Sequence, residues 1–151
     1  MKRLMCCVLA IIMVCMFVPV EVDASTNDNV RMIYLETGAY IVITIQESGG
    51  RASGTKSGTA RYDYYGSDGV KQWTATLNGT FTYNGTSATC TSSSCSVSIS
   101  NSAWYLISKS ASKSGNTATG SVNMGRKILG VTTAKEAIDL TLSCDANGNL
   151  S

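Results

Sequence analysis

The sequence predicts an all-β protein, an antiparallel β-sandwich, with a small β-barrel as the alternative. Three observations carry this. The stretch Trp73–Tyr83, WTATLNGTFTY, puts an apolar residue or Gly at every odd position and a polar one at every even position, the period of a strand with one buried and one solvated face. Clusters of Gly, Asn, Asp and Ser recur roughly every 8–14 residues, the spacing of turns between short strands, and sheets of this kind pack in an immunoglobulin-like manner. Beyond residue 24 no segment keeps a helical period; even TAKEAIDL (133–140), despite its helix formers, continues into alternation up to Cys144.

Residues 1–24 stand apart. Lys2 and Arg3 precede an almost wholly apolar run from Met5 to Val18, and Val22-Asp23-Ala24 offers small side chains for cleavage. This is the pattern of a secretory signal peptide, and the apolar run is shorter than the roughly 20 residues that span a bilayer. A lipoprotein signal would need a small residue before Cys15, where Val14 stands. Cleavage after Ala24 removes two bases (Lys2, Arg3) and two acids (Glu21, Asp23), leaving 12 − 2 = 10 basic against 10 − 2 = 8 acidic residues. A near-neutral chain without a Lys/Arg run is not expected to hold nucleic acid. The mature chain has no second span-length apolar run, so a secreted or extracellular protein with no membrane partner after cleavage is expected, folded as one domain.

Within 25–151, residues 25–54 are read as N-terminal strands and a loop, and 55–151 as the core of the sandwich. STNDN (25–29) is a polar leader. Val30–Leu35 and Tyr40–Gln46 are β-branched runs split by Thr37-Gly38, hence two strands. Glu47–Lys56 holds three charges and three glycines and reads as a loop. Gly58–Tyr65 and the Trp73 strand flank GSDG (66–69), a hairpin turn. Pairing Tyr65 with Val70 sets Tyr62 opposite Trp73 and Ala60 opposite Ala75, so apolar meets apolar on one face, with Tyr64 opposite Lys71 near the turn on that same face. Gly79 marks a bend or bulge. Asn84-Gly85 is a strong hairpin signal, returning the chain through Thr86–Cys90. Cys95, Val97 and Ile99 alternate with serines as a further short strand. Trp104–Ser110, Thr117–Ile128 and Thr132–Cys144 complete the set, separated by Ser114-Gly115-Asn116 and Leu129-Gly130.

Cys90, Cys95 and Cys144 survive cleavage, an odd number for an oxidising compartment. One bridge at most can form. Cys90–Cys144, with both partners at the ends of strands, is preferred to Cys90–Cys95, and closing its loop of about 54 residues would stabilise by roughly 4 kcal/mol.

The strings GTFTYNGTSATC (79–90), SASKSGNTATG (110–120) and LTLSCDANGNLS (140–151), with Trp73, Trp104 and Gly130-Val131, resemble a family of small secreted proteins of Gram-positive gut bacteria. Its members share a signal peptide, a W-x5-G-T-F-T-Y core, two cysteines and a terminal G-x-L-S. The resemblance spans roughly Thr55 to Ser151. It implies secretion and a common fold, and it matches the family's two cysteines to Cys90 and Cys144, with Cys95 outside the pattern. It implies no activity.

The chain contains no His, which removes Ser-His and Cys-His nucleophile pairs and the commonest metal ligand. No phosphate-binding loop or dinucleotide fingerprint is present, and DANGN (145–149) lacks the closing Glu of a calcium loop. No cofactor and no metal are expected. The acids are scattered, and a hydrolase working through carboxylates alone would have to bring two together, Asp63 and Glu136 being the first to consider. Cys95 is flanked by serines, without a neighbour to lower its pKa.

The expectation is therefore a non-enzymatic exported domain that works by contact with an extracellular glycan or protein. Tyr62, Tyr64, Tyr65 and Trp73 cluster near one hairpin. Tyr62 and Trp73 belong to the core, while Tyr64, Tyr65 and Lys71 are the candidate binding residues, since aromatic rings engage sugars and peptides by stacking. A secreted antagonistic or inhibitory factor using Tyr64 and Tyr65 as an insertion loop is the alternative. The threonines at 74, 76, 80 and 82 are read as a solvated strand face with good β propensity.

Overall fold

The computed structural model describes residues 29–48 and 54–151; the expected signal peptide lies outside them. Eight strands follow one another: β1 (Val30–Tyr34), β2 (Tyr40–Ser48), β3 (Thr55–Tyr65), β4 (Lys71–Tyr83), β5 (Ala88–Ile99), β6 (Trp104–Ser114), β7 (Thr117–Ile128) and β8 (Val131–Ser143). They form a five-stranded sheet, β1-β2-β3-β4-β5, and a three-stranded sheet, β6-β7-β8. Every pairing is antiparallel, and the described strands do not close into a barrel. The sandwich is as expected, but its connectivity differs from the immunoglobulin arrangement. Each sheet is a meander of sequence neighbours, whereas immunoglobulin sheets exchange strands through Greek-key crossovers.

Alternation along β4 sets the core. Trp73, Ala75, Leu77 and Phe81 are wholly buried on its inner face, and across the gap Val122 and Met124 of β7 and Leu140 and Leu142 of β8 are equally closed off. Gly79 sits in this inner row because a Cβ there would lie 2.7 Å from the Phe81 ring. Cys95 faces Leu77 across β4–β5 in the same layer. Trp73 stacks on Tyr64, their ring centroids 4.8 Å apart with the planes nearly parallel, and Trp104 meets both rings edge-on. The indole N–H of Trp73 is buried without an acceptor among the described residues, a cost of roughly 1–3 kcal/mol borne inside an otherwise apolar layer.

The β3–β4 register differs from expectation by two residues. Tyr64 faces Trp73, Tyr62 faces Ala75, Ala60 faces Leu77 and Tyr65 faces Lys71. Gly66 N–H donates to the Val70 carbonyl at 3.0 Å, so the turn is one residue longer than expected, and Gln72 is left without a partner as a bulge that adds the second residue of the shift. A shift of two keeps every side chain on its own face, so the core composition survives. The expected pair of short strands after Asn84-Gly85 is one strand, β5, because Thr91–Ser94 contains no Gly, Pro, Asn or Asp and a bulge at Thr91 absorbs the mismatch. Its hydroxyl donates to the Thr80 carbonyl at 3.0 Å. β3 begins at Thr55, within the expected Glu47–Lys56 loop.

The edges of the small sheet are guarded by different means. Tyr62 reaches across the sandwich to β8, where its hydroxyl accepts from Thr141 N–H at 3.1 Å. On β6, Lys109 and Lys113 pair with the core residues Val122 and Ala118, and the Lys113 ammonium donates to the Thr91 carbonyl of β5. Charged side chains at inward positions of an edge strand discourage further strand addition.

Cys90 and Cys144 are buried free thiols, and Cys95 is half-buried and free; the expected Cys90–Cys144 bridge is not formed in this structure. Both cysteines nonetheless meet the β6–β7 turn, Cys90 N–H donating to the Gly115 carbonyl at 2.7 Å and Cys144 N–H to that of Asn116 at 3.0 Å.

The Leu77 layer generates a stability prediction. Leu77→Ala should destabilise the fold by about 2–5 kcal/mol, because closely packed neighbours on both sheets limit collapse into the void. Urea unfolding followed by tryptophan fluorescence measures it; a loss below about 1 kcal/mol would contradict this account of the core.

Candidate functional site

The aromatic cluster divides between the two faces of the large sheet. Tyr64 faces inward and is only 4% exposed, so it is corrected from binding residue to core residue. The stack on Trp73 is the physical reason, since burying both rings against Trp104 is worth more than leaving one in water. An insertion loop that exposes Tyr64 and Tyr65 together is not formed. Tyr65 and Lys71 do point outward, paired across β3–β4.

Tyr65 joins two tyrosines that sequence reasoning passed over. Register aligns Tyr34, Tyr40 and Tyr65 in one row across β1, β2 and β3. Tyr40 and Tyr65 stack with centroids 4.9 Å apart and an interplanar angle of 4°. Tyr34 follows at 5.8 Å, tilted by 42° and 51% exposed. The inner pair thus turns ring edges and hydroxyls to solvent, while Tyr34 at the sheet edge offers part of a ring face. The signal was available in principle: Tyr34 and Tyr40 flank a short turn, and pairing them across it places both on the face of Tyr65.

Lys71 is not a free cation. Its ammonium lies 3.4 Å from Asp63, which also receives Arg61 Nε at 3.0 Å and the Thr74 hydroxyl at 2.5 Å. Asp63 and Thr74 are both buried although they stand on the outer face, so the outer row of threonines is not uniformly solvated as expected. Burial alone would push the Asp63 carboxyl up. The Thr74 hydrogen bond, with the hydrogen bond and charge of Arg61 and the charge of Lys71, outweighs it and holds the carboxyl below its ordinary value. Asp63 and Glu136 are not brought together: Asp63 lies on the outer face of the large sheet, and Glu136 on β8 lines the space inside with Tyr64.

That space is a cleft of ≈ 390 Å³ at the turn end of the sandwich, lined by Tyr64, Trp104, Gln72, Asp68, Arg126 and Glu136 among others. Its amides are committed to the protein. The Gln72 carbonyl oxygen accepts from Asn101 Nδ2 at 2.7 Å and from Trp104 Nε1 at 3.2 Å, and Gln72 Nε2 donates to the Val70 carbonyl at 2.8 Å. Burial first, then the charge and hydrogen bond of Glu136, pushes the Tyr64 phenol up to about 12, against a smaller opposing pull from Arg126. Tyr64 therefore stays neutral across the physiological range and serves as floor rather than as an acid or base.

The remaining candidates resolve simply. Burial raises the Cys95 thiol in spite of Lys109, which disfavours the nucleophilic thiolate. The Asp145 carboxylate accepts from the backbone N–H groups of Asn147 at 2.8 Å and Asn149 at 2.9 Å, and from Asn149 Nδ2 at 2.7 Å. DANGN is thus a turn closed on its own side chain. Among the described residues no group of three acids or thiols is placed to hold a metal ion.

The Asp63 cluster yields a pH prediction. A carboxyl whose folded pKa is depressed adds stability above its unfolded value, and that stability is lost as the pH falls through the folded one. Asp63→Asn should therefore cost about 1–3 kcal/mol at pH 7, and the gap to the parent should close progressively below about pH 4. Urea titrations at a series of pH values test this; a gap independent of pH would refute the ionic account. Comparisons with protein-family models, with curated proteins and with solved structures find no match.

Proposed function

We propose that the protein is a small exported, non-enzymatic β-sandwich that works by contact, binding an extracellular or cell-surface glycan through the outer tyrosine row. One observation carries this reading: Tyr34, Tyr40 and Tyr65 stand side by side on a sheet face that, among the described residues, no second layer covers. The core does not need them, since the inner face is filled by other rings. Sugars present C–H faces that dock on aromatic rings and hydroxyls that bond to phenol edges, and this row offers both. The Asp63–Lys71–Arg61 cluster keeps the neighbouring strands in register and holds the tyrosines in place. The signal-peptide pattern of residues 1–24 supplies the route to such a ligand, and the family resemblance agrees with secretion.

The same route bears on the cysteines. In an oxidising compartment, Cys90 and Cys144 would each surrender a proton and an electron to an exported thiol oxidant and join as a disulfide, leaving Cys95 as the single thiol. The turn at Gly115-Asn116 that both cysteines touch supports the pairing.

Two measurements test this reading. Tyr34→Ala with Tyr65→Ala should lower retention on immobilised cell-wall glycan or mucin by roughly tenfold or more, taking about 1 kcal/mol for each aromatic contact, with the thermal transition largely kept. Failure of the parent protein to be retained on any such surface would overturn it. Mass spectrometry of protein recovered from the medium should find a chain beginning at Ser25, lighter by two hydrogens than its reduced form and with one alkylatable thiol; three alkylatable thiols would exclude the bridge.

A further inference from the structure

The β7–β8 hairpin ends in the most conspicuous apolar exposure of the described residues. Ile128 is 48% exposed, Leu129 99% and Val131 65%. The turn is Leu129-Gly130, with φ of 50° and 81°, the left-handed pair of a two-residue hairpin turn. Gly suits that region, and Asn is the side chain that best tolerates its first position. Leu does not, because its Cβ crowds the backbone there. Leu129 is the single non-glycine residue with positive φ among those described. The sequence thus places a residue that is poor for the turn, and poor for solubility, at the tip of a projecting hairpin.

Behind the tip stands a collar of positive charge. Arg126 and Lys127 precede it on β7 and Lys135 follows on β8, with no acid between Gly125 and Lys135. All three cations are exposed, and among the described residues none forms an ion pair. Lys127 lies over the Tyr105 ring at 4.6 Å. Register pairs Gly125 with Lys135 and Arg126 with Ala134, so the cations lie at nearly one level on both faces of the ribbon. Two to four residues at about 3.3 Å each separate that level from the turn, or roughly 7–13 Å. An apolar wedge followed at that depth by a ring of cations matches the profile of an anionic bilayer surface, acyl boundary first and headgroups next.

We infer that the Ile128–Val131 tip docks the protein on an anionic lipid surface, inserting Leu129 and its neighbours while Arg126, Lys127 and Lys135 meet the headgroups. The convex shape favours lipid over a protein pocket, because cations on both faces of the ribbon engage a plane and would not all face one side of a cleft. Hydropathy along the sequence weighs only spans, so three apolar side chains at a hairpin tip escape it. This site is separate from the tyrosine row and does not depend on its ligand.

Co-sedimentation of the purified protein with vesicles of phosphatidylcholine containing one-third phosphatidylglycerol tests the inference, with pure phosphatidylcholine as the comparison. The parent should bind the anionic vesicles, weaken with added salt and bind neutral ones at least tenfold less. The decisive variant is Leu129→Asn. It should melt no lower than the parent, because Asn-Gly is the favoured pair for this turn, yet lose vesicle binding by about tenfold or more. Arg126→Gln with Lys135→Gln should weaken binding and flatten its salt dependence. Absence of parent binding to anionic vesicles overturns the inference and leaves the tip to a protein partner. Equal binding to neutral vesicles, or undiminished binding by Leu129→Asn, overturns it as well.

Discussion

The structure depends on the contact between the inner face of β4 and the facing strands β7 and β8. Two sheets packed face to face leave a layer about 10 Å thick, and it must be filled from both sides without gaps. Here large and small residues alternate in register. Leu77 stands over Gly120, where a Cβ would lie 3.3 Å from the leucine methyl, and Phe81 lies over Gly79. Trp73 fills the turn end with Tyr64 and Trp104. Once these positions are committed, strand alternation decides the remainder of the large sheet. Tyr64 must go inward, so Tyr65 must go out, and Tyr40 and Tyr34 follow through cross-strand pairing. The tyrosine row is a consequence of the core rather than a feature laid over it.

The outer face runs from aromatic to hydroxylic along the strands. Tyr34, Tyr40 and Tyr65 occupy the turn end, and Thr80, Ser92 and Ser57 pair at the other. Between them sits Asp63, a buried carboxylate on a nominally solvated face. Its partners come from its own strand and from β4, so it ties the two central strands together at the point where the bulge at Gln72 begins. Bulges increase local twist. This one also turns Gln72 toward Trp104, linking the two sheets at the same level. Asp63 outside and Gln72 inside therefore brace one irregularity from its two faces, which accounts for polar side chains being so closed off there.

Parity was the legible part of the sequence. Each strand announces which residues face in, because the side-chain period is fixed at two, and the buried set from Ala60 through Leu142 follows that reading. Register was not legible to better than two residues. A slip of two conserves every face and leaves the apolar pattern satisfied, so only the hydrogen bonds of the Gly66–Val70 turn distinguish the alternatives. Bulges at Gln72 and Thr91 were hidden for a related reason: an extra residue costs the pattern little when its neighbours are Ser, Thr or Gln. The same ambiguity split β5 in two. For the candidate site, the expected pairing set Lys71 on the face of Tyr64, and the bulge at Gln72 turns it to the opposite face beside Tyr65, while Tyr64, expected beside the turn, pairs with Trp73 and is buried. Tyr34 and Tyr40 were missed because their neighbours in sequence are apolar and draw attention to the core. The cleft residues Arg126 and Glu136 meet Tyr64 only through packing of one sheet on the other, which no local pattern reports.

Local choices elsewhere in the chain agree with the fold. Glycine occupies the positive-φ positions at residues 38, 54, 69, 85, 115, 130 and 148, and Leu129 stands alone against that rule among the described residues. Where a sequence is consistent at nearly every level, an isolated departure is informative, because such departures concentrate where a site needs something the fold does not. A leucine side chain at a left-handed turn, almost wholly in water, improves neither the turn nor the core. Among the described residues nothing removes it from water, and the lipid contact proposed for the tip would do so. The tyrosine row, the polar cleft and this tip gather at the same end of the sandwich, where the β1–β2, β3–β4, β5–β6 and β7–β8 turns converge. The opposite end is closed by the C-terminal segment, with Leu150 packed over Gly58 and Gly148 beneath the Tyr83 ring. One end of the molecule is thus sealed on itself, and the other carries the exposed apolar and aromatic groups that the interior leaves unused.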